Sequence, residues 1–332
     1  NDLSGDLRLD MAVSPPRLEG QLHSSSMDLT ALEAVDKAVP AEDRAGKVFS
    51  DNPIELEWIR ELDADVGLNI DKLVLAGAQY HGMQGKVEIT GGVLRANPLE
   101  ATVAGVTATG KYVIDVSRTP PTFSTSLTAQ RVDMGEITGY WSQPPFMHAS
   151  GDVQLELSGS GESQAAILAS ATGHLRVVTG EGTAEVAQAE KATATLLLGT
   201  IARTLGKEDT NAVKMNCFAA DIEFVEGVGD VQVLVLDTEN ATIFGSGTID
   251  LTKEQWNLKF NPKPHTTTLS AKAVPVTLTG SFSEPGIEMG KVELLRKLAA
   301  IVGVVVFPPA AVAALLELGT GDEACLKNIV AN

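Results

Sequence analysis

Apolar and polar residues alternate along most of this chain, and one alternating stretch occurs twice. Residues 109–137, TGKYVIDVSRTPPTFSTSLTAQRVDMGEI, slide back by 105 positions without a gap onto residues 4–32, SGDLRLDMAVSPPRLEGQLHSSSMDLTAL. Gly110 falls on Gly5, Asp115 on Asp10, Pro120 and Pro121 on Pro15 and Pro16, Leu127 on Leu22, and Asp133 on Asp28. Character is kept at Tyr112/Leu7, Ile114/Leu9, Val116/Met11, Phe123/Leu18, Val132/Met27 and Met134/Leu29. Each copy predicts a strand, a proline-set turn, a second strand and an exit through Asp and an apolar residue. Tyr112, Ile114 and Val116 would point one way, Lys111, Asp115 and Ser117 the other. A period of two with one apolar side describes a sheet with one wet face. Its recurrence after roughly a hundred residues describes a sheet that grows sideways by units.

Residues 33–52 are polar and acidic and read as a surface loop. A short helix is predicted over 53–62, capped by Asp51 or Asn52, with Pro53 in the first position and Ile54, Trp58 and Leu62 as its buried stripe. From Ala64 the period of two returns. Val66, Leu68 and Ile70 share one face, and Leu73 and Leu75 take the opposite parity, so a bulge or kink is expected at Asp71 and Lys72. Gly91 and Gly92 signal a tight turn. Residues 139–150, GYWSQPPFMHAS, break the pattern and would cover a sheet edge or the end of a core. Helices are expected near 162–171 and 186–205. Further strands carry Phe218, Ala220, Ile222 and Phe224, then Val231, Val233 and Val235, then Trp256, Leu258 and Phe260, then Val274, Val276 and Leu278. Turns are expected at Glu226-Gly227 and at NPKPH, 261–265. In the tail, 298–316 holds no charge, but Pro308 and Pro309 divide it, which favours two short helices packed on the sheet over a membrane span.

The fold expected is mainly β: a long, strongly twisted antiparallel sheet curled into a groove or open barrel-like taco, with a few helices capping it and a helical C-terminal end. It divides into repeated units at 1–138, a continuing sheet at 139–290 and a helical cap at 291–332. The 25 basic and 43 acidic residues leave a net charge of −18, which repels a polyanion, so no nucleic-acid partner is expected. The five histidines are scattered and none has ligand spacing. No nucleophile elbow or phosphate loop appears, and SGSGES, 158–163, reads as a turn. No cofactor, metal or catalysis is therefore expected. Cys217 and Cys325 are either two buried thiols or, in an oxidising compartment, a bond that ties the tail to the sheet. The chain opens inside the first repeat copy, as a piece of something longer would.

Several blocks, in this order and spacing, resemble the C-terminal periplasmic region of the AsmA family. They are PPRLEGQLHSSSMDLTAL, LDADVGLNIDKLVLAGAQYHGMQGKVEITGGVLRANPLEATVAGVTATGKYVIDV, GDVQLELSGSGES with TGHLRVVTGEG, MNCFAADIEFVEGVGDVQVLVLDTENATIFGSGTIDLTKEQWNLKFNPKP, and VPVTLTGSFSEPGIEM. The resemblance implies a periplasmic protein of diderm bacteria, anchored in the inner membrane by an N-terminal helix outside this sequence. It also implies kinship with bridge-like lipid transporters related to the translocation and assembly module protein TamB, and it makes a Cys217–Cys325 disulfide reasonable.

A sheet with one greasy face and few helices to cover it must fold over on itself or hold something apolar. The expected lining for lipid acyl chains is Leu7, Leu9, Met11, Leu68, Ile70, Leu73, Leu75, Val87, Ile89, Tyr112, Ile114, Val116, Phe123 and Leu127. The partners expected are phospholipid and proteins of the inner and outer membranes. Two other readings stand beside the conduit: an assembly factor for outer-membrane proteins with a filled core, and a hydrolase, which would need a convergent pair of acids.

Overall fold

The computed structural model describes residues 2–28, 46–75, 78–103, 106–135, 145, 147–185, 212–265 and 274–289. Among these, sixteen strands form one sheet. The first eight are β1 (Ser4–Asp10), β2 (Arg17–Ser24), β3 (Met27–Asp28), β4 (Asp63–Leu75), β5 (Ala78–Thr90), β6 (Val93–Val103), β7 (Val106–Asp115) and β8 (Thr122–Asp133). The rest are β9 (Met147–Ser160), β10 (Thr172–Glu185), β11 (Ala212–Val225), β12 (Val228–Thr238), β13 (Ala241–Asp250), β14 (Gln255–Pro264), β15 (Val276–Ser281) and β16 (Pro285–Met289). Strand order follows the sequence from β1 to β16, with β3 off the path against β4, so the sheet is open and has two edges. The mainly β, unclosed architecture is the one the alternation predicts.

Antiparallel ladders join β1 to β2, β4 through β8, and β12 through β16. The antiparallel expectation fails at one step, because β2 and β3 run parallel to β4. A parallel pair needs a crossover of a dozen residues or more, and the connection from β3 to β4 provides that length.

By internal contacts the chain falls into two units. The first comprises Asn1–Gln130, Gln154–Gly173 and Val225–Gly227, the second Arg131–Val153, His174–Phe224 and Val228–Asn332. In the first unit the core gathers Ile59, Val66, Ile89, Ile114, Val116 and Phe123. In the second it gathers Met134, Met215, Leu236, Leu258, Phe260 and Val276, among others. Asp221, buried at one parity of β11, is paired with Arg176, whose Nε lies 3.3 Å away, so this acid is not left alone in the core.

Two helices are described: α1 (Trp58–Glu61) and α2 (Gln164–Ala169). Ser163 caps α2, its Oγ accepting from the Ala166 N–H at 3.2 Å. The helix predicted over 53–62 is only four residues long. Pro53 forms a bridge with Ser163, and the Ile54 N–H donates to the Glu162 carbonyl at 2.7 Å. That pairing holds this stretch extended. Ile59 is therefore the buried residue, and the predicted stripe residues Ile54 and Trp58 are exposed.

The turn expected at NPKPH is the end of β14, where Pro262 pairs with Ile243 and Pro264 with Ala241. The ladder from β14 to β15 ends at Phe260 opposite Val276. Beyond that point β15 asks for no N–H from β14 among the described residues, and proline is tolerated there. The 186–205 helix, most of the 139–150 break and the C-terminal helical cap lie outside the described residues.

Candidate functional site

The registers place the alternating apolar residues of the first unit in rows across the strands. Residues directly opposite in a ladder share a face. One row runs Leu9, Leu18, Ala64, Ile89, Leu94, Ile114 and Phe123, crossing from β1 to β8. The next runs Leu7, Gly20, Val66, Val87, Ala96, Tyr112 and Thr125. A third includes Leu22, Leu68, Gly85, Leu99, Gly110 and Leu127, displaced by an irregularity in β6. Seven strands thus present one continuous apolar face. The bulge expected at Asp71 and Lys72 does not appear as a change of register: Ile70 pairs with Met83 and Lys72 with His81 in one unbroken register, and the ladder lacks only the pair between them, Asp71 opposite Gly82, whose φ is +56°. Such a backbone is natural for glycine and strained for other residues.

One end of this face is covered. Ile59 of α1 is fully buried against the row that ends in Ile114 and Phe123, and Leu56 and Ile167 pack beside it. The cover is stitched together by two hydrogen bonds: the Ala165 N–H donates to Ser50 O at 3.0 Å, and the Ser50 N–H donates to the side-chain Oε1 of Gln164 at 3.0 Å. Arg60 fastens it to the sheet, its Nε donating to Val116 O at 2.8 Å.

The expected lining residues divide accordingly. Ile70, Leu73, Ile89, Ile114, Val116 and Phe123 are buried; Leu68, Val87 and Leu127 are half-buried; Leu7, Leu9, Met11 and Tyr112 are exposed. Leu75 ends β4, and its side chain lies outside the described residues. Partial burial nonetheless pushes the Tyr112 phenol up from its usual range. The expected set misses Leu18 and Leu22, which pack against the buried cluster. The repeat itself held the signal for both, since they are the first-copy counterparts of Phe123 and Leu127. It also misses Ile59, Leu56 and Ile167, which belong to no alternating segment.

The opposite face of the first unit is polar. Lys86 reaches Asp65 at 3.0 Å and Glu88 at 2.6 Å, and these two partners raise its pKa. Asp115 sits at the end of β7. Its hydrogen bonds from Ser117, against some desolvation and with help from Arg118, hold its carboxyl below the usual carboxylate range. Among the described residues no group of acids, histidines and cysteines is placed to hold a metal ion, and no helix is long and apolar enough to cross a membrane. Cys217 is buried in β11, and its expected partner Cys325 lies outside the described residues. What the described geometry offers chemically is an apolar surface, closed at one end and bare at the first-copy edge.

Residues 1–233 match the model of the AsmA family. The chain is 26% identical, over 349 residues, to the AsmA family protein YhjG of Escherichia coli (strain K12). That alignment covers 97% of this chain and 49% of YhjG, so the chain spans about half the length of the curated relative it matches. No solved structure matches. With the family model covering well over half of its residues, the chain belongs to the AsmA family.

Proposed function

We propose that the apolar face of the first unit holds the acyl chains of phospholipid, and that the protein carries lipid between the inner and outer membranes in support of outer-membrane biogenesis. In this reading it works in the periplasm, held to the inner membrane by an N-terminal helix outside this sequence, meets protein partners at both membranes, and performs no covalent step. The observation that supports it most is the uncovered part of the face. Leu7 is 47% exposed, Leu9 54% and Met11 69%, and Leu7 and Leu9 stand in the same rows as the buried core residues Val66 and Ala64. Bare apolar surface continuous with a core is the kind that binds something apolar. Each methylene laid on it would contribute about 0.8 kcal/mol, much the same at every position, so a tail would slide without large barriers. A disulfide between Cys217 and Cys325 belongs to the same reading and is checked by peptide mass mapping without reductant.

The test is lipid extraction and mass spectrometry of the purified protein. Phospholipid should be present in the native chain and depleted when Leu7 and Leu9 are both replaced by Asp. A native chain free of lipid, or equal lipid in the variant, would end this reading. The well-filled cluster of the second unit, around Met215, Leu258, Phe260 and Val276, favours a second reading. There the protein is an assembly factor for outer-membrane proteins with a packed interior, and an outer-membrane protein captured by lipid-free material would speak for it.

A further inference from the structure

The polar face of the first unit carries a pocket that the acyl-chain reading does not use. It holds about 450 Å³ and is lined from β6 by Val93 and Arg95, from β7 by Val113 and Asp115, and from β8 by Thr122 and Ser124. Arg95, Val113 and Ser124 form one row across these strands, and Val93, Asp115 and Thr122 the next. Arg118 closes the turn end, and Ser158, Ser160, Ser170 and Thr172 close the far side. Arg95 lies between Leu94 and Ala96, which face the apolar side, so this pocket opens on the other side of the sheet.

Its charges do not cancel. Asp115 is the only acid in the lining, and it is already engaged: Arg118 Nε lies 3.2 Å from it, and the Ser117 N–H donates to it at 2.9 Å. Glu88 stands opposite Arg95 on β5, but its carboxylate is held by Lys86 at 2.6 Å. Among the described residues Arg95 has no carboxylate within ion-pair distance. Some hydroxyls are spent on the backbone: Ser158 Oγ donates to Thr172 O at 3.2 Å, and Ser170 Oγ lies 2.8 Å from Ser160 O. Among the described residues those of Thr122, Ser124 and Ser160 have no partner and are left to donate into the pocket. On a chain of net charge −18, a concave site with two guanidinium groups, one neutralised acid and several free hydroxyls is a local reversal of sign.

We propose that this pocket binds a phosphoryl group through Arg95 and Arg118. A tetrahedral anion offers several acceptors at once, which suits forked guanidinium donors flanked by hydroxyls. The group arrives either on a lipid headgroup or on a small soluble phosphate ester. Because the pocket and the apolar face lie on opposite sides of the sheet, the fate of one proposal does not decide the other.

The experiment titrates the whole chain, at constant ionic strength, with inorganic phosphate, with glycerol 3-phosphate and with phosphatidylglycerol vesicles. The native chain should bind at least one probe saturably, and the double variant Arg95→Gln, Arg118→Gln should bind it roughly tenfold or more weakly. Arg8→Gln, on β1, should change nothing. Binding of the soluble probes identifies a free ester as the ligand, and binding of the vesicles alone identifies a headgroup. Arg95→Gln by itself, at an exposed position, guards against a double variant that fails to fold and should show most of the loss. No saturable binding by the native chain, or binding by both Gln variants as tight as that of the native chain, overturns the proposal.

Discussion

Leu9 and Ile114 hold equivalent places in the two copies of the repeat, yet Leu9 is 54% exposed and Ile114 only 8%. The same holds one step along, where Met11 is exposed and Val116 is buried. Local structure does not explain this. Both copies form two antiparallel strands around a Pro-Pro turn, and both turns contain a cis proline bond, at Ser14-Pro15 and Thr119-Pro120. Position in the sheet explains it. The second copy, β7 and β8, has neighbours on both sides and lies beneath Ile59, Leu56 and Ile167. The first copy, β1 and β2, ends the sheet, with β1 as its edge. A repeated strand pair is thus core or exposed surface according to what the rest of the chain lays over it.

The largest expected effect follows from that contrast. Ile114→Ala leaves a cavity under α1 and should cost about 2–5 kcal/mol, read as a lower urea midpoint with unchanged slope. Its first-copy equivalent, Leu9→Ala, removes a side chain already in water and should stay within about 0.5 kcal/mol of the native chain. Equal losses at the two sites would mean that the first copy is also covered in solution, which would weigh against a bare acyl-chain surface.

The rows themselves were legible in the alternation, because a period of two needs only local order. Tyr112, Ile114 and Val116 read as one face from their spacing alone, and the ungapped match to Leu7, Leu9 and Met11 read as a second strand pair. The cover was not legible. Ile59 and Leu56 come from a stretch where the caps and Pro53 suggested a longer helix, and long-range pairing of Pro53 with Ser163 overrode that propensity. Prolines at 262 and 264 read as a turn because their tolerance depends on where the neighbouring β15 ladder stops. That is a fact about another strand. Which apolar residues are buried is decided by such distant segments, and so the expected lining mixes buried with exposed positions.

A smaller effect sharpens the role of the cover. Arg60 is the one polar strap described between α1 and the second copy, donating to the carbonyl of Val116. Replacing it by Ala leaves that carbonyl without its charged donor and should cost about 1–2 kcal/mol. Hydrogen exchange gives the sharper readout: protection of the Val116 amide, which donates to Gly92 O at 2.9 Å, should fall. Unchanged protection would mean that packing by Ile59 alone holds the cover in place.

The smallest effect is read from pH at the turn of the second copy. The Asp115 carboxyl is held below its usual range first by the hydroxyl and then by the amide of Ser117, with Arg118 assisting. A carboxyl whose folded pKa lies below its unfolded value of about 3.9 adds stability that is fully present above that value and is lost as pH falls through the folded pKa. Asp115→Asn removes this contribution. The native chain should therefore melt slightly higher than the variant at every pH above about 5, and the gap should narrow steadily below pH 4. Residue Asp10 occupies the same place in the first copy and accepts from the Ala12 N–H at 2.9 Å, but no serine hydroxyl follows it two residues on, where Ala12 replaces Ser117. A gap for Asp115→Asn that stays constant down to pH 3 would mean the carboxylate is not what the Ser117 turn stabilises.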